Sequence, residues 1–326
     1  MQVGVLTVPL GGQPLEEALA YLDDLGVDMV EIGCGGDPGD DHLPMAQYLD
    51  DEAAQADLKA LLDEYDIGIS ALATHNNPLH PDEERADAAD QQLRDAIQLA
   101  DQLDANTITC FSGLPAGGPN DEVPNWVTAP WPNEHLEALE YQWEEVAIPY
   151  WQDLATHADD YGVDVAIEMH PNFLVYNPPS LLKLRAATNE RIGANLDPAN
   201  IVWQGIDIPE AIRYLGAEDA IHHIHAKDLR TYEVNKRVTG VLDTKPYTEE
   251  VDRSWLFRSI GYGHDLDFWK EVVSTLRMVG YEGTLSVEHE DSLTSSREGL
   301  EKAIGTMHEA LFETEPGEAY WVDSNV

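Results

Sequence analysis

Positive charge is what this sequence has least of: 18 Lys and Arg stand against 62 Asp and Glu, a formal net charge of −44 over 326 residues. Such a surface repels phosphate backbones, and no basic stripe with interleaved aromatics is present, so nucleic acid is not an expected partner. The imbalance reads as salt adaptation. Molar salt shortens the Debye length to roughly 3 Å and removes the self-repulsion, which points to a halophile's cytoplasm. The acids are spread between apolar runs, as in a folded, solvated shell, and not gathered in a disordered block. Cysteine is scarce too. Cys34 and Cys110 are the only two, too few for a disulfide scaffold and not spaced as zinc ligands, which suits a reducing interior. No segment approaches the roughly 18 apolar residues of a spanning helix, and no basic stretch precedes an apolar one at the N-terminus; neither membrane nor export is expected. The Gly-rich phosphate fingerprint of a doubly wound sheet is missing as well, since GCGGDPG at 33–39 lacks the required spacing.

What is present is an alternation. Short β-branched runs (QVGVLTV, DMVEIG, IGISALATH, NTITCFSG, VDVAIEMH, RIGANLD, AIHHIHAKD and GTLSVEHE) are separated by amphipathic stretches such as 14–25, 83–103, 138–161 and 268–279. Strands joined by crossover helices pair in parallel. Eight such repeats predict a (β/α)8 TIM barrel, an α/β fold, with all 326 residues in one domain. Hydrophobic residues, 43% of the chain, suffice for its core. Two inserts, 112–133 and 228–263, follow strands and so fall on the face where barrel active sites are built. Residues 313–326 read as an extension lying on the surface or on a second subunit, which leaves a homo-oligomer open.

The strand ends carry the chemistry. Side chains alternate across a strand, so VAIEMH places Glu168 and His170 on one side and Val165, Ile167 and Met169 on the other. The same phase pairs Asn195 with Asp197, His223 with His225, and Ser286 with Glu288. Four successive barrel strands thus deliver Glu168, Asp197, His225 and Glu288 to the barrel mouth. Three neighbouring carboxylates need something positive among them. An oxygen-rich set with one imidazole suits Mn²⁺ first, and Mg²⁺, Co²⁺ or Zn²⁺ after it. Taken singly, an Asp after a strand, as Asp197 in LDP, is more often a turn or helix-cap residue than a ligand, and HAKD and HED offer His225 and Glu288 ordinary ion-pair partners.

Around this set, His75 shares the inward phase of the third strand, whereas His80 reads as a loop residue. His223 suits either a group that orients a ligand or a satisfied core histidine. Lys227 and Arg230, scarce cations near the strand end, suit substrate oxygens, with Asp228 an alternative partner for Lys227. His264, in GYGHD, is placed over the site or in a Gly-rich turn. Trp126, Trp131, Trp203 and Trp255 suit stacking on a sugar face, or packing inside the inserts.

From ALATHNNPLHP through AIEMHP, NLDPANIVWQGID and HIHAKD to WLFRSIGYGHD and LSVEHEDS, the chain resembles the sugar phosphate isomerase/epimerase group of xylose isomerase-like TIM barrels, which also includes endonuclease IV. The resemblance implies a divalent metal on Glu168, Asp197, His225 and Glu288, with Glu168 and Glu288 also moving the substrate proton through an enediolate, and a small sugar or sugar phosphate as substrate. It departs at Asn200, where relatives place a histidine, at Cys110, near the nuclease's fourth-strand histidine, and at Thr231, where ketose epimerases use an arginine; Arg230 is adjacent. The departures at Asn200 and Cys110 disfavour a trinuclear zinc site. Rival readings are a lyase or deglycosidase acting on a 3-keto sugar, an endonuclease IV-like phosphodiesterase, and a sugar-binding module without catalysis.

Overall fold

A computed structural model describes residues 1–314 and 317. The expected C-terminal extension therefore lies outside the described residues but for 313, 314 and 317.

The strands are β1 (Gln2–Leu6), β2 (Met29–Gly36), β3 (Gly68–His75), β4 (Thr107–Phe111), β5 (Asp164–Glu168), β6 (Ile192–Leu196), β7 (Ile221–Ala226), β8 (Asp228–Thr231), β9 (Trp255–Arg258) and β10 (Thr284–Val287). Eight of them close a barrel in the order β1-β10-β7-β6-β5-β4-β3-β2, every neighbouring pair parallel. The eight predicted runs are these eight strands. Their outward side chains supply the core: Val165, Ile167 and Met169 are fully buried with Ile97, Leu93 and Trp151 of the surrounding helices.

The helices follow the apolar periodicity. Residues 14–25 and 83–103 become Leu15–Asp24 and Glu83–Gln102. The 138–161 stretch differs, because the helical path begins at Glu134 and is wound wider over Tyr141–Ala147 before Ile148–Tyr161. Pro149 sits just after the wide turns. It has no N–H to give the preceding turn and its ring crowds the carbonyl four residues back, which widening relieves.

The 228–263 insert is more ordered than a polar excursion suggests. Its ends, β8 and β9, form an antiparallel hairpin registered from Asp228↔Arg258 to Thr231↔Trp255. At the same rim, Gly36 has φ +68°, and a Cβ there would collide with the His75 backbone. Only glycine allows β2 to close against the end of β3, where His75 leaves for the barrel mouth.

Candidate active site

Glu31 organises the barrel interior. It is fully buried and accepts from Thr109 Oγ1 at 2.6 Å, Ser286 Oγ at 2.7 Å, His223 Nε2 at 3.0 Å and His225 Nε2 at 3.0 Å. Burial alone would raise its carboxyl, but the charges of His225 and His223 and their hydrogen bonds hold it well below the usual range. With Nε2 of His225 given to Glu31, its Nδ1 faces the barrel mouth. There it meets Glu288 Oε2 at 2.8 Å and Glu168 Oε2 at 3.3 Å.

Those close approaches are not all hydrogen bonds. His225 Nδ1 and Glu288 Oε2 are both buried and have no hydrogen-bond partner among the described residues, although they lie 2.8 Å apart; the angles needed for donation are missing. The ligand atoms of Glu168, His225 and Glu288 lie within 4.8 Å of one another. A cluster of acceptor atoms sharing one small space fits a divalent cation. The Glu31–His225 contact is a carboxylate–imidazole pairing of the kind that fixes the tautomer of metal-ligating histidines. Burial alone would lower the His225 imidazole, yet Glu31, Glu288 and Glu168 outweigh it and pull it well up. The carboxylates thus demand positive charge, and either an imidazolium or a divalent ion answers that demand.

Asp197 takes the cap role with one of its two oxygens. Its Oδ1 caps the short helix Pro198–Val202 by accepting from Ala199 N at 2.7 Å. Its Oδ2 accepts from Asn200 Nδ2 at 2.5 Å and lies 4.0 Å from Lys227 Nζ. The same Asn200 amide donates to Glu168 Oε1 at 2.6 Å, so it bridges Asp197 and Glu168. Burial pushes the Asp197 carboxyl well up, and Glu168 and Glu288 add to the push against Lys227.

The other candidates divide. His75 Nε2 lies 3.0 Å from Glu168 Oε2. Lys227 Nζ reaches Glu288 Oε1 at 2.7 Å and Glu290 Oε2 at 2.6 Å, not Asp228. His170, its Nδ1 2.6 Å from Pro171 O, is held beside Phe111 and Phe173. These groups line a cavity of about 350 Å³ over the acid cluster. From β4 the side chain in that cavity is Phe111, whereas Cys110 belongs to the core. Trp203, stacked on Trp255 at 4.9 Å, lines a neighbouring cavity of about 440 Å³ together with Asn200.

Two expected substrate groups point elsewhere. Arg230 is exposed, and its Nη1 donates to Gly263 O at 3.2 Å; on β8 the alternation sends it away from the barrel mouth. His264 lies on Asp228, with Nδ1 at 2.8 Å, and stacks on Phe268. Asp228 also accepts from the amides of Gly261, Gly263 and His264, so GYGHD is a turn built around that carboxylate. His80 is a loop residue accepting from Asp82 N at 3.0 Å, and Trp131 is 81% exposed.

Comparison with known proteins agrees with this architecture. The profile of the xylose isomerase-like TIM barrel family matches residues 19–309. YfiH of Bacillus subtilis (strain 168), an uncharacterized protein, is 37% identical over 317 residues, 95% of this chain and 99% of its own. Among solved structures, D-psicose 3-epimerase from Clostridium cellulolyticum H10, determined with D-tagatose, superposes with TM-score 0.62 at 15% identity over 95% of this chain and 98% of that one. A xylose isomerase-like TIM barrel protein from Mycobacterium smegmatis, in complex with magnesium, gives TM-score 0.62 at 17% identity, with the same coverage of 95% and 98%.

Proposed function

The chain belongs to the xylose isomerase-like TIM barrel family, and from its site we propose that it is a divalent-cation-dependent sugar or sugar phosphate isomerase or epimerase. One observation carries the reading: Glu168, His225 and Glu288 bring buried acceptor atoms together without hydrogen-bonding them to one another in full. Glu168, His225 and Glu288 would hold the cation, with Asp197 as the fourth ligand. Mn²⁺ suits the set first, and Mg²⁺, Co²⁺ and Zn²⁺ are admitted. When bound, such a cation supplies Lewis acidity that polarises a carbonyl and acidifies the neighbouring C–H.

Moving the proton falls to the chain's own carboxylates. Glu168 Oε2 and Glu288 Oε2 flank the same imidazole nitrogen; one takes the proton from carbon and the other returns it. Both are kept ionised. Burial alone would raise them, but the close approach and charge of His225 and His75 hold Glu168 well down, and Lys227 and His225 hold Glu288 down. His75, His170, Lys227 and Asn200 orient the sugar, and Trp203 walls the adjoining cavity. The face to which the proton returns sets isomerisation or epimerisation. The net charge of −44 supports a salt-rich cytoplasm as the working medium.

Mn²⁺-loaded protein incubated in D₂O at high salt with keto-sugars should incorporate solvent deuterium at the reacting carbon. Glu168→Gln and Glu288→Gln should each slow this by about 10²–10⁴-fold. No incorporation by folded, loaded protein across a broad sugar panel overturns the proposal, and products lighter than the substrate reveal a lyase instead.

A further inference from the structure

The 228–263 insert builds its own cavity beside the acid cluster. Trp126, Trp203, Asp243, Lys245, Tyr247 and Arg253 wall it, and His170 and Tyr247 also wall the cavity over Glu168 and Glu288. Asn200 stands at the border, lining this cavity while its amide bonds Glu168 and Asp197.

Arg253 is the unusual member. It is 2% exposed, and in a chain with 62 acids and 18 basic residues it makes no ion pair among the described residues. Its guanidinium lies 4.3 Å from the Tyr247 ring and 4.7 Å from the Trp255 ring. Nε donates to Trp255 O at 3.2 Å and Nη1 to Lys245 O. Nη2 has no hydrogen-bond acceptor among the described residues. The neighbouring Asp243 is already neutralised by Lys245 Nζ at 2.8 Å and also accepts from Ser254 N at 2.7 Å. The cavity therefore keeps a net positive charge inside a strongly negative protein. A buried guanidinium without a carboxylate is costly, and carbonyls and ring faces offset only part of that cost. An oxyanion supplies the planar, two-oxygen partner that a guanidinium fork matches.

We propose that this second cavity is an oxyanion subsite, in which Arg253 takes a phosphate or carboxylate carried on the part of the sugar remote from its reacting carbonyl. The proposal rests on the sugar reading above and narrows it to acidic sugars, either phosphate esters or keto-uronic acids. Arg253 is then a binding residue that sets specificity and takes no part in moving the proton.

Binding is read without turnover, by tryptophan fluorescence at constant ionic strength, with D-fructose, D-fructose 6-phosphate and D-fructuronate as probes, on both chelator-treated and Mn²⁺-loaded protein. At least one charged sugar should bind ten-fold or more tighter than D-fructose in both states, and which one does so distinguishes phosphate from carboxylate. Arg253→Met should bring the ratio toward one, and Arg253→Lys should keep part of it. Should Arg253→Met fail to fold, inorganic phosphate on the wild-type protein serves instead: it should displace the charged sugar competitively while leaving D-fructose bound. Equal affinities for all three sugars, a preference that survives Arg253→Met, phosphate that displaces all sugars alike, or a preference seen only with Mn²⁺ overturns the subsite. A failure of deuterium exchange would leave these binding ratios intact, so the two proposals fail separately.

Discussion

Glu31 has the strongest claim to attention at the scale of single residues, and sequence reading passed over it. A glutamate between Val30 and Ile32, both fully buried, signals a charge that must be paired. Its partners His223 and His225 are almost 200 positions away, however, and only barrel closure brings β2 opposite β7. Replacing Glu31 with Gln puts an amide donor where four donors already converge. The expected cost is about 3–5 kcal/mol, the range for breaking a buried charged pair, read as a lowered melting temperature. Divalent-ion affinity, measured by competition with a chelator, should fall about 10–100-fold through the loosened His225 ring. A variant that melts like wild type and binds Mn²⁺ equally well would mean that Glu31 does not set the tautomer. Asp197 makes the complementary point. Its position after a strand, taken alone, favours a cap over a ligand, and the structure gives Oδ1 to the cap and turns Oδ2 toward Asn200 and Lys227.

The strands and most helices were legible because their periods are imposed by burial on one or both faces, and that signal survives in a single sequence. The β8–β9 hairpin was not, since its strands are only four residues each and lie in a polar stretch, separated by 23 residues that include one short helix. Its attachment to the barrel is equally invisible. Asp291, after β10, accepts from Arg258 Nε at 3.1 Å, Ser259 N at 2.8 Å and Leu293 N at 2.9 Å, tying the end of β9 to the loop that follows the last barrel strand. Burial alone would raise its carboxyl, but the Ser259 and Leu293 amides and the Arg258 charge hold it below the ordinary value. A depressed folded pKa gives stability that is present above the unfolded value of about 3.9 and is lost as pH falls through the folded one. The melting-temperature gap between wild type and Asp291→Asn should therefore stay constant from pH 7 to about pH 5 and shrink below about pH 4. A gap that widens on acidification would contradict the assignment. Arg230 and His264 belong to the hairpin's own framework: Arg230 donates to Gly263 O and His264 lies on Asp228, whose carboxylate holds that turn.

For the molecule as a whole, two effects of salt compete. Its few cations are heavily used on the surface: Arg94 bridges Asp90 and Asp153, and Arg191 bridges Asp159 and Asp164. Salt weakens such pairs, but exposed pairs contribute only about 0–1 kcal/mol each. With 62 acids against 18 basic residues, most exposed carboxylates have no cation to meet and repel one another over the Debye length, about 10 Å at 0.1 M salt and about 3 Å at 1 M. Repulsion involves many more charges than pairing does, so its removal should dominate. The melting temperature is expected to rise as KCl goes from 0.1 M to above 1 M and to level off once the screening length drops below the spacing of neighbouring carboxylates. The buried Glu31–His225 and Glu168–His75 contacts, shielded from solvent ions, should hardly change, so the gain should come with no shift in divalent-ion affinity beyond that of competing K⁺. A melting temperature that falls steadily with KCl would mean that the sparse ion pairs outweigh the repulsion, and the salt-adapted reading of this surface would have to be given up.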